Sequence, residues 1–196
     1  MDAIILAHFK KHDPVLYKIA VNIKQPFITK ISENYFASLC ESIISQQLSV
    51  KVGDVMYHRF ENLLEGVVTP EQVLKHSVAE LRALGISLPK ASYILDLAQK
   101  VYSKEIHLEK LKGMTEQEVI DELTKVKGIG QWTAEMFLMF SLGRDDVFST
   151  GDLALKRAVE QLYNLENPSK TLLLEMSSKW SPYRTYASRI LWYSLK

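Results

Sequence analysis

The sequence predicts an all-α protein of about ten helices joined by short connections. Apolar residues recur at three- and four-residue spacing through most of its 196 residues, and no alternating pattern is long enough to predict a strand. Capping residues precede many of these periodic segments, and the chain has only eight glycines and six prolines. A chain of this length can bury a sizeable core, as one domain or as two small lobes.

Composition excludes several classes of protein. Cys40 is the only cysteine, so an intrachain disulfide, a four-cysteine zinc site and a cysteine-bound iron–sulfur cluster are all excluded. No apolar run approaches the roughly 20 residues that span a bilayer, and the N-terminus lacks the basic region of a secretory signal. We therefore expect an intracellular protein without a membrane partner.

The net charge of +1 neither predicts nor excludes a nucleic-acid partner. A nucleic-acid-binding protein of this composition would have to segregate its charges on the surface. Residues 151–196 carry seven basic and four acidic side chains, which permits DNA binding without establishing it.

The first helices are marked by their caps. Asp13-Pro14 opens a helix that continues to about Ile23, because aspartate caps a helix and proline fits its first turn. His8 and His12 are four residues apart and could both face a metal. No third ligand is evident beyond Asp13, so a solvated helix face is the preferred interpretation.

Helical periodicity continues to the C-terminus. The main predicted segments are 34–48, 50–64, 91–102, 153–162, 168–180 and 182–195. The first of these runs into Ser45-Gln46-Gln47-Leu48-Ser49, a polar break before the next helix. The two glutamines could simply lie on the surface, or their long amide side chains could enter a base stack and hydrogen-bond an orphaned base.

The most informative stretch is Lys127-Gly128-Ile129-Gly130, between two helical patterns. Its two glycines let the backbone approach a ligand closely, and the unpaired N–H groups that open the next helix suit an anion such as phosphate. Backbone amides bind phosphate without recognising bases, so this hairpin would grip DNA of any sequence. A plain αα-corner is the alternative.

Two further features extend the hairpin prediction. Lys90 follows a turn at Gly85 and could hold a second phosphate, although a plain helical hairpin explains it equally well. Hairpins of this kind can also hold a monovalent cation, Na⁺ or K⁺, on backbone carbonyls, here those of Thr124, Val126 and Gly128. We expect no other cofactor.

Asp152 follows a glycine at a predicted helix start, where an aspartate is most often an N-cap. The helix dipole there favours the ionised form. An ionised carboxylate suits a reaction that develops positive charge, such as the loss of a base through an oxocarbenium-like sugar. A purine alkylated on a ring nitrogen is already cationic and leaves readily, so one carboxylate could suffice.

Aromatic residues are dense near the hairpin and in the tail, and most should belong to the core. A flipped cationic base would nevertheless be held well between aromatic faces by stacking and cation–π attraction. The aromatic residues in question are Trp132, Trp180, Tyr183, Tyr186, Trp192 and Tyr193.

From about Phe36 to Tyr193 the chain resembles the helix-hairpin-helix superfamily of base-excision DNA glycosylases, most closely its alkylbase branch, which includes 3-methyladenine DNA glycosylase II. Four motifs carry the resemblance: Ile44 to Ser49, Lys127 to Ala134, Val147-Phe148 with Gly151-Asp152, and Trp180 to Arg184. It implies a two-lobed helical bundle with the active site in the cleft between lobes. We place one lobe at about 34–140 and the other at about 1–33 plus 141–196.

The resemblance also implies roles for individual residues. Asp152 matches the catalytic aspartate, and Gln47 or Leu48 matches the wedge that fills the gap left by the flipped nucleotide. The predicted base pocket is Trp132, Tyr183, Leu153 and Met136. The predicted DNA-binding residues are Lys127, Gly128, Ile129, Gly130, Thr133, Gln46, Gln47, Leu48, Ser49 and Lys90.

Departures from the family pattern sharpen the prediction. Members that also nick the strand carry a lysine in the helix after the hairpin, where this chain has Trp132. Lys156 is the only nearby substitute, so we expect an enzyme that uses water and lacks lyase activity. Leu153 stands at a position that the family pattern also fills with an aromatic, so the resemblance leaves the pocket shape open. The first 35 residues are too short for an extra N-terminal β-rich domain.

The sequence thus predicts a monomeric, monofunctional DNA glycosylase that excises alkylated purines such as 3-methyladenine from duplex DNA. Two alternatives remain open at this point. One is a non-catalytic module that recognises duplex or lesion DNA, and the other is a glycosylase for oxidised or mismatched bases.

Overall fold

The computed structural model describes residues 2–24 and 31–195, and the regular secondary structure in these ranges is entirely helical. These two ranges contain twelve α-helices, with a 3₁₀-helix at Leu108–Gly113 between α7 and α8. Their bounds are α1 Ala3–His12, α2 Pro14–Ala20, α3 Tyr35–Ser45, α4 Val50–Leu63, α5 Pro70–Val73, α6 Val78–Ala83, α7 Leu88–Tyr102, α8 Glu116–Leu123, α9 Gln131–Phe140, α10 Leu153–Tyr163, α11 Lys170–Ser178 and α12 Arg184–Tyr193. The predicted all-α fold is confirmed.

The chain divides into two compact units. Unit 1 contains the described residues before Ile31 and those from Leu138 onward, and unit 2 is Ile31–Phe137. The predicted lobes had their limits near 34 and 140, and part of the first segment, residues 25–30, lies outside the described residues.

Unit 1 is organised around a buried carboxylate. Asp13 caps α2, where its Oδ1 accepts hydrogen bonds from the amides of Val15 and Leu16, both at 3.1 Å. Its Oδ2 accepts from the Tyr163 hydroxyl at 2.6 Å and the Trp180 indole at 2.7 Å. The fully buried Trp180 therefore belongs to the core, and its polar atom has a partner.

Unit 2 packs α3 against α4 and α7, and α7 also contacts α5 and α6. The buried face of α7 is apolar and carries Ala91, Ile94, Leu97 and Ala98. α7 begins at Leu88, earlier than predicted, because Pro89 lies in its first turn, where a missing N–H costs nothing.

Another predicted boundary also shifts. α3 ends at Ser45, whereas the periodicity predicted a helix to Leu48. Gln46 has a non-helical ψ of 129° and Gln47 adopts the left-handed region with φ of 58°, so the chain leaves the helix at these two residues. The glutamine pair therefore forms a turn between α3 and α4.

Candidate active site

The hairpin between α8 and α9 is tight and anchored. The amide of Ile129 donates to the carbonyl of Val126 at 3.1 Å, and the Ile129 side chain is buried. Gly128 has φ of 82°, and a Cβ at this position would overlap the ring of Tyr93. Only glycine therefore satisfies both the conformation and the packing here. Gly130 precedes α9, where its carbonyl accepts from Ala134 at 3.0 Å.

The Gln46–Ser49 turn is attached to this hairpin. The side-chain amide of Gln46 donates to the carbonyl of Gly128 at 2.9 Å. Gln47 is exposed, Leu48 is half-buried, and Ser49 precedes α4 as an exposed N-cap. The structure therefore turns Gln47, and not Gln46, outward from the protein.

The Lys90 side chain forms hydrogen bonds within the protein. Its ammonium donates to the carbonyls of Ile44 at 2.9 Å and Gln46 at 2.6 Å, and burial lowers its pKa. The structure thus places Lys90 on the last carbonyls of α3, where the sequence interpretation had offered a second phosphate or a plain helical hairpin.

An open cavity of about 570 Å³ lies in unit 2. Seven predicted site residues line it together with two serines of α3: Gln46, Gln47, Leu48, Gly128, Trp132, Thr133 and Met136, with Ser42 and Ser45. Trp132 is 47% exposed, so a large part of its ring is available to a ligand. Thr133 is buried beneath the exposed start of α9, and Lys127 is exposed on the hairpin.

In unit 1, Asp152 is both a helix cap and a buried carboxylate. Its side chain is 7% exposed, and its Oδ1 accepts from the Leu155 amide of α10 at 2.8 Å. The indole N–H of Trp192 donates to the same oxygen over a long 3.3 Å. These two donors hold the carboxylate in place at the start of α10.

Trp192 belongs to a small aromatic group. Its ring lies 6.0 Å from that of Phe140 at an interplanar angle of 30°, and Phe140 is 41% exposed. The Arg189 guanidinium lies 5.7 Å from the Phe140 centroid, and burial lowers the pKa of Arg189. The sequence placed Trp192 among the aromatics and Phe140 on the apolar surface of the helix after the hairpin, but it predicted no role for either, and it did not single out Arg189.

Tyr183 was predicted to line the base pocket, but the geometry favours Trp192 as the aromatic neighbour of Asp152. Tyr183 caps α12, whereas Trp192 lies near its opposite end, about 13 Å along the helix axis. The Tyr183 ring instead contacts His8 at 5.2 Å and Tyr186 at 6.2 Å.

The remaining predicted residues have definite places. Leu153 is 82% exposed as the first residue of α10, directly beside Asp152. Lys156, the alternative nucleophile, contacts Oδ1 of Asn167 at 2.5 Å. His8 and His12 stack with ring centroids 4.5 Å apart, and the described ranges hold no group of three residues suited to a metal ion.

Comparison with known proteins identifies the fold family. A family model described as HhH-GPD superfamily base excision DNA repair protein matches residues 40–182. The chain belongs to the HhH-GPD superfamily. The predicted resemblance is therefore confirmed, and the hairpin at 127–130 lies within the matched region.

Other HhH-GPD proteins resemble the chain over most of its length. A crystal structure of a DNA-3-methyladenine glycosidase from Bacillus halodurans is 39% identical, with a TM-score of 0.86 and coverage of 98% of this chain and 89% of that one. The 3-methyladenine DNA glycosylase Mag1 of Schizosaccharomyces pombe, solved with abasic DNA, is 30% identical, with a TM-score of 0.82 and coverage of 97% and 95%.

Sequence relatives agree. Over 166 residues the chain is 32% identical to YfjP of Bacillus subtilis, whose name proposes DNA-3-methyladenine glycosylase activity. The match covers 81% of this chain and 58% of YfjP, so the chain spans less than two thirds of that relative's length. Within residues 2–24 and 31–195, no helix is long and apolar enough to cross a membrane.

Proposed function

We propose that this HhH-GPD protein is a monofunctional DNA glycosylase that hydrolyses the N-glycosidic bond of alkylated purines, such as 3-methyladenine, in duplex DNA. The observation that carries the proposal is Asp152: a buried carboxylate at a helix N-terminus, held by the Leu155 amide and the Trp192 indole. A helix cap needs only the first of these contacts. The similarity to proteins named as 3-methyladenine glycosylases supports the substrate class.

Asp152 acts on the sugar in this mechanism. As the C1′–N bond breaks, positive charge develops on the deoxyribose ring, and a nearby carboxylate anion stabilises it. An alkylated purine carries its own positive charge and departs as a neutral base, so no second acid is required to protonate it. The carboxylate then guides a water molecule to C1′. As the water oxygen bonds to C1′, the water gives up a proton to the carboxylate, which passes it to solvent, and hydrolysis is complete.

Aromatic and apolar side chains supply the base-binding surfaces. Trp132 and Met136 line the cavity of unit 2, and Trp192 and Phe140 present a second aromatic group in unit 1. A cationic purine gains both stacking and cation–π attraction on such faces, whereas a neutral purine gains stacking alone. This difference favours alkylated over undamaged bases.

The hairpin and the Gln46–Ser49 turn are proposed to hold the DNA. The amides of residues 128–130 bind the phosphate backbone, Lys127 and Thr133 add polar contacts, and the exposed Gln47 or the half-buried Leu48 fills the vacated base stack. Duplex DNA with damaged bases is therefore the expected partner, and the enzyme acts as an intracellular monomer.

Hydrolysis without strand cleavage is expected because neither Trp132 nor Lys156 can supply the reactive amine of a lyase. Trp132 occupies the position at which the bifunctional pattern has its lysine, and an indole cannot form a Schiff base. The Lys156 ammonium is engaged by Asn167 at 2.5 Å. Neither residue offers an amine poised for attack on C1′.

The fold also suggests a monovalent cation on the carbonyls of Thr124, Val126 and Gly128. The Val126 carbonyl accepts from Ile129, and that of Gly128 accepts from Gln46. A carbonyl oxygen has two lone pairs, so both retain acceptor capacity for Na⁺ or K⁺. Such an ion would stiffen the hairpin and add positive charge where phosphate binds.

The test is a panel of duplexes that carry 3-methyladenine, 7-methylguanine, 8-oxoguanine or a mismatched base. We expect base release from the alkylated duplexes and none above background from the others. Release only from oxidised or mismatched duplexes would assign a different glycosylase, and binding to every duplex without release would assign a non-catalytic module.

A further inference from the structure

One edge of α7 carries three half-buried polar or aromatic side chains at three-residue spacing, which places them side by side on the helix surface. They are Lys90, Tyr93 and Asp96: Lys90 contacts the backbone at the end of α3, and Tyr93 and Asp96 contact the backbone of the hairpin. None of the three lines the cavity.

Lys90 completes the end of α3. The helix stops at Ser45, and the carbonyls of its last turn need donors from elsewhere. The amide of Leu48 donates to the carbonyl of Ser45 at 3.1 Å, and Lys90 donates to those of Ile44 and Gln46. The ammonium also lies at the negative end of the α3 dipole, which strengthens this arrangement. Lys90 therefore fixes the backbone from which the Gln46–Ser49 turn departs.

Tyr93 and Asp96 fix the hairpin. The Tyr93 ring packs against the backbone of Gly128 closely enough to exclude a Cβ there. Oδ2 of Asp96 accepts from the Lys127 amide at 2.9 Å, immediately before that glycine. The two contacts hold adjacent residues of the hairpin from the same helix.

Gln46 closes the arrangement. Its carbonyl accepts from Lys90, and its side-chain amide donates to the carbonyl of Gly128. The turn and the hairpin are thus joined to each other directly and joined again through α7. A shift of either segment would break at least one of these contacts.

We propose that Lys90, Tyr93 and Asp96 are positioning residues that lock the wedge turn, Gln46–Ser49, in register with the phosphate-binding hairpin. The inference rests on the proposed function, because it concerns how that enzyme opens the duplex. The hairpin fixes one phosphate, and the wedge enters the base stack at a set distance from it. Because the connection is rigid, the wedge turn is already ordered before the protein binds DNA. Less conformational entropy is therefore lost when the wedge enters the base stack.

The first experiment separates positioning from phosphate contact at Lys90. The probe is a duplex with a tetrahydrofuran abasic analogue beside 2-aminopurine, whose fluorescence rises when the base stack opens. Binding and fluorescence are measured between 50 and 300 mM salt (about the range used for such slopes). Lys90→Met retains the aliphatic stem and removes the donors, Lys90→Arg restores donors, and Lys110→Met removes an exposed lysine of the same unit.

For Lys90→Met we expect the salt dependence of binding to match wild type, while the fluorescence rise at saturating protein falls at least about threefold. Lys90→Arg should recover at least part of the rise, and Lys110→Met should retain all of it. A salt slope flattened by about 0.9, with a normal fluorescence rise, would assign Lys90 to a phosphate and overturn the proposal. A normal slope with a normal rise would overturn it as well.

The second experiment substitutes Asp96, because a purely electrostatic role and a positioning role predict opposite changes in DNA affinity. Removing an acidic residue from a DNA-binding protein raises affinity if only its charge matters. We expect Asp96→Ala to lower affinity instead, about threefold to tenfold, because the Lys127 amide loses its acceptor and the hairpin loosens. Asp96→Asn keeps an acceptor oxygen and should bind at least as tightly as wild type. Tighter binding by both variants would contradict the proposal.

These measurements stand apart from the test of the enzyme itself. The abasic duplex requires no base release, so fluorescence and salt slope report on positioning even in the absence of catalysis. If wild type released no base from any duplex, the proposed activity would fail while Lys90 could still be assigned. Thermal unfolding of each variant identifies any that do not fold. If Lys90→Met does not fold, the affinity of Asp96→Ala decides whether the proposal stands.

Discussion

The indole nitrogen of Trp192 lies 3.3 Å from Oδ1 of Asp152, the oxygen that also accepts from the Leu155 amide at 2.8 Å. Forty residues separate the two side chains in the sequence. The contact ties the C-terminal end of α12 to the start of α10, which pack against each other in unit 1. It gives the cap carboxylate a second anchor and presents an aromatic face beside it.

Trp192→Phe keeps an aromatic ring near Phe140 and removes only the indole donor. Because the hydrogen bond is long, we expect a loss of about 1 kcal/mol of transition-state stabilisation, or roughly fivefold slower release of 3-methyladenine. Single-turnover rates with alkylated duplex measure it. Trp192→Leu also removes the stacking face and should lose more. Wild-type rates in both variants would show that Trp192 serves packing alone.

The two hairpin glycines should respond differently to alanine. Gly128→Ala places an alanine at a positive φ, which costs about 1–2 kcal/mol, and brings its methyl group into the Tyr93 ring. The free energy of unfolding should therefore fall. Gly130→Ala has no heavy atom within 4 Å of an added Cβ and should keep its stability. Denaturant unfolding checks both. Equal destabilisation by the two substitutions would contradict this description of the hairpin.

Gly130→Ala has a separate use as a probe of the DNA complex. Its added methyl group occupies open space in the free protein, so a change in affinity measures how closely the phosphate backbone approaches. We expect duplex affinity to fall about tenfold with little change in stability. Unchanged affinity would place the phosphate elsewhere on the hairpin.

Local sequence signals predicted much of this structure. Asp152 was identifiable as a cap because a helix N-terminus depends on a few neighbouring residues, and the structure places its side chain on the Leu155 amide. Gly128 was identifiable as a turn glycine between two helical patterns, and the structure gives it a positive φ and packs it against Tyr93. The family motifs added the fold and the reaction class.

Contacts between distant segments were not predictable in the same way. The donation from Trp192 to Asp152 depends on how α12 packs on α10, and no local pattern encodes it. Lys90 was assigned to a phosphate or a plain hairpin because the sequence does not show that α3 ends at Ser45 with carbonyls in need of a donor. Tyr183 was predicted for the base pocket from the motif Trp180 to Arg184, whereas the contact of Trp192 with Asp152 depends on the packing of α12.

We predict that borohydride will trap no covalent complex between the wild-type protein and alkylated or abasic duplex. A Schiff base needs a neutral amine at C1′, whereas Trp132 has none and Lys156 is held by Asn167. A bifunctional glycosylase run in parallel confirms that the trapping conditions work. An adduct that disappeared in Lys156→Ala would assign lyase activity to Lys156.

The Asp146–Arg184 pair should make stability depend on pH. Burial raises the pKa of Asp146, but hydrogen bonds from Arg184 and Ser181 lower it by more than burial raises it. The folded pKa therefore lies below its usual range. A lowered folded pKa contributes stability above the unfolded pKa of about 3.9, and this contribution is lost as pH falls through the folded value. Asp146→Asn should therefore be less stable than wild type at pH 7, with a gap that narrows below about pH 4.

Thermal unfolding from pH 7 to pH 3 measures that gap. The Asp146 carboxylate accepts from the Arg184 Nε at 2.7 Å and from its Nη2 at 3.0 Å, and charged hydrogen bonds of this kind contribute about 1.5–3 kcal/mol. Asp54→Asn, at an exposed position of α4, provides a matched control. A gap of constant size across this pH range would show that the pair contributes through packing rather than charge.

The central claim is that the charge of Asp152 carries out the chemistry. Asparagine caps helices as well as aspartate does, so Asp152→Asn removes the charge and leaves α10 in place. The measurement is the single-turnover release of 3-methyladenine from alkylated duplex, alongside affinity for an abasic duplex. We predict release slowed at least about 100-fold with affinity within about threefold of wild type. Release at the wild-type rate would contradict the assignment of Asp152 as the catalytic residue.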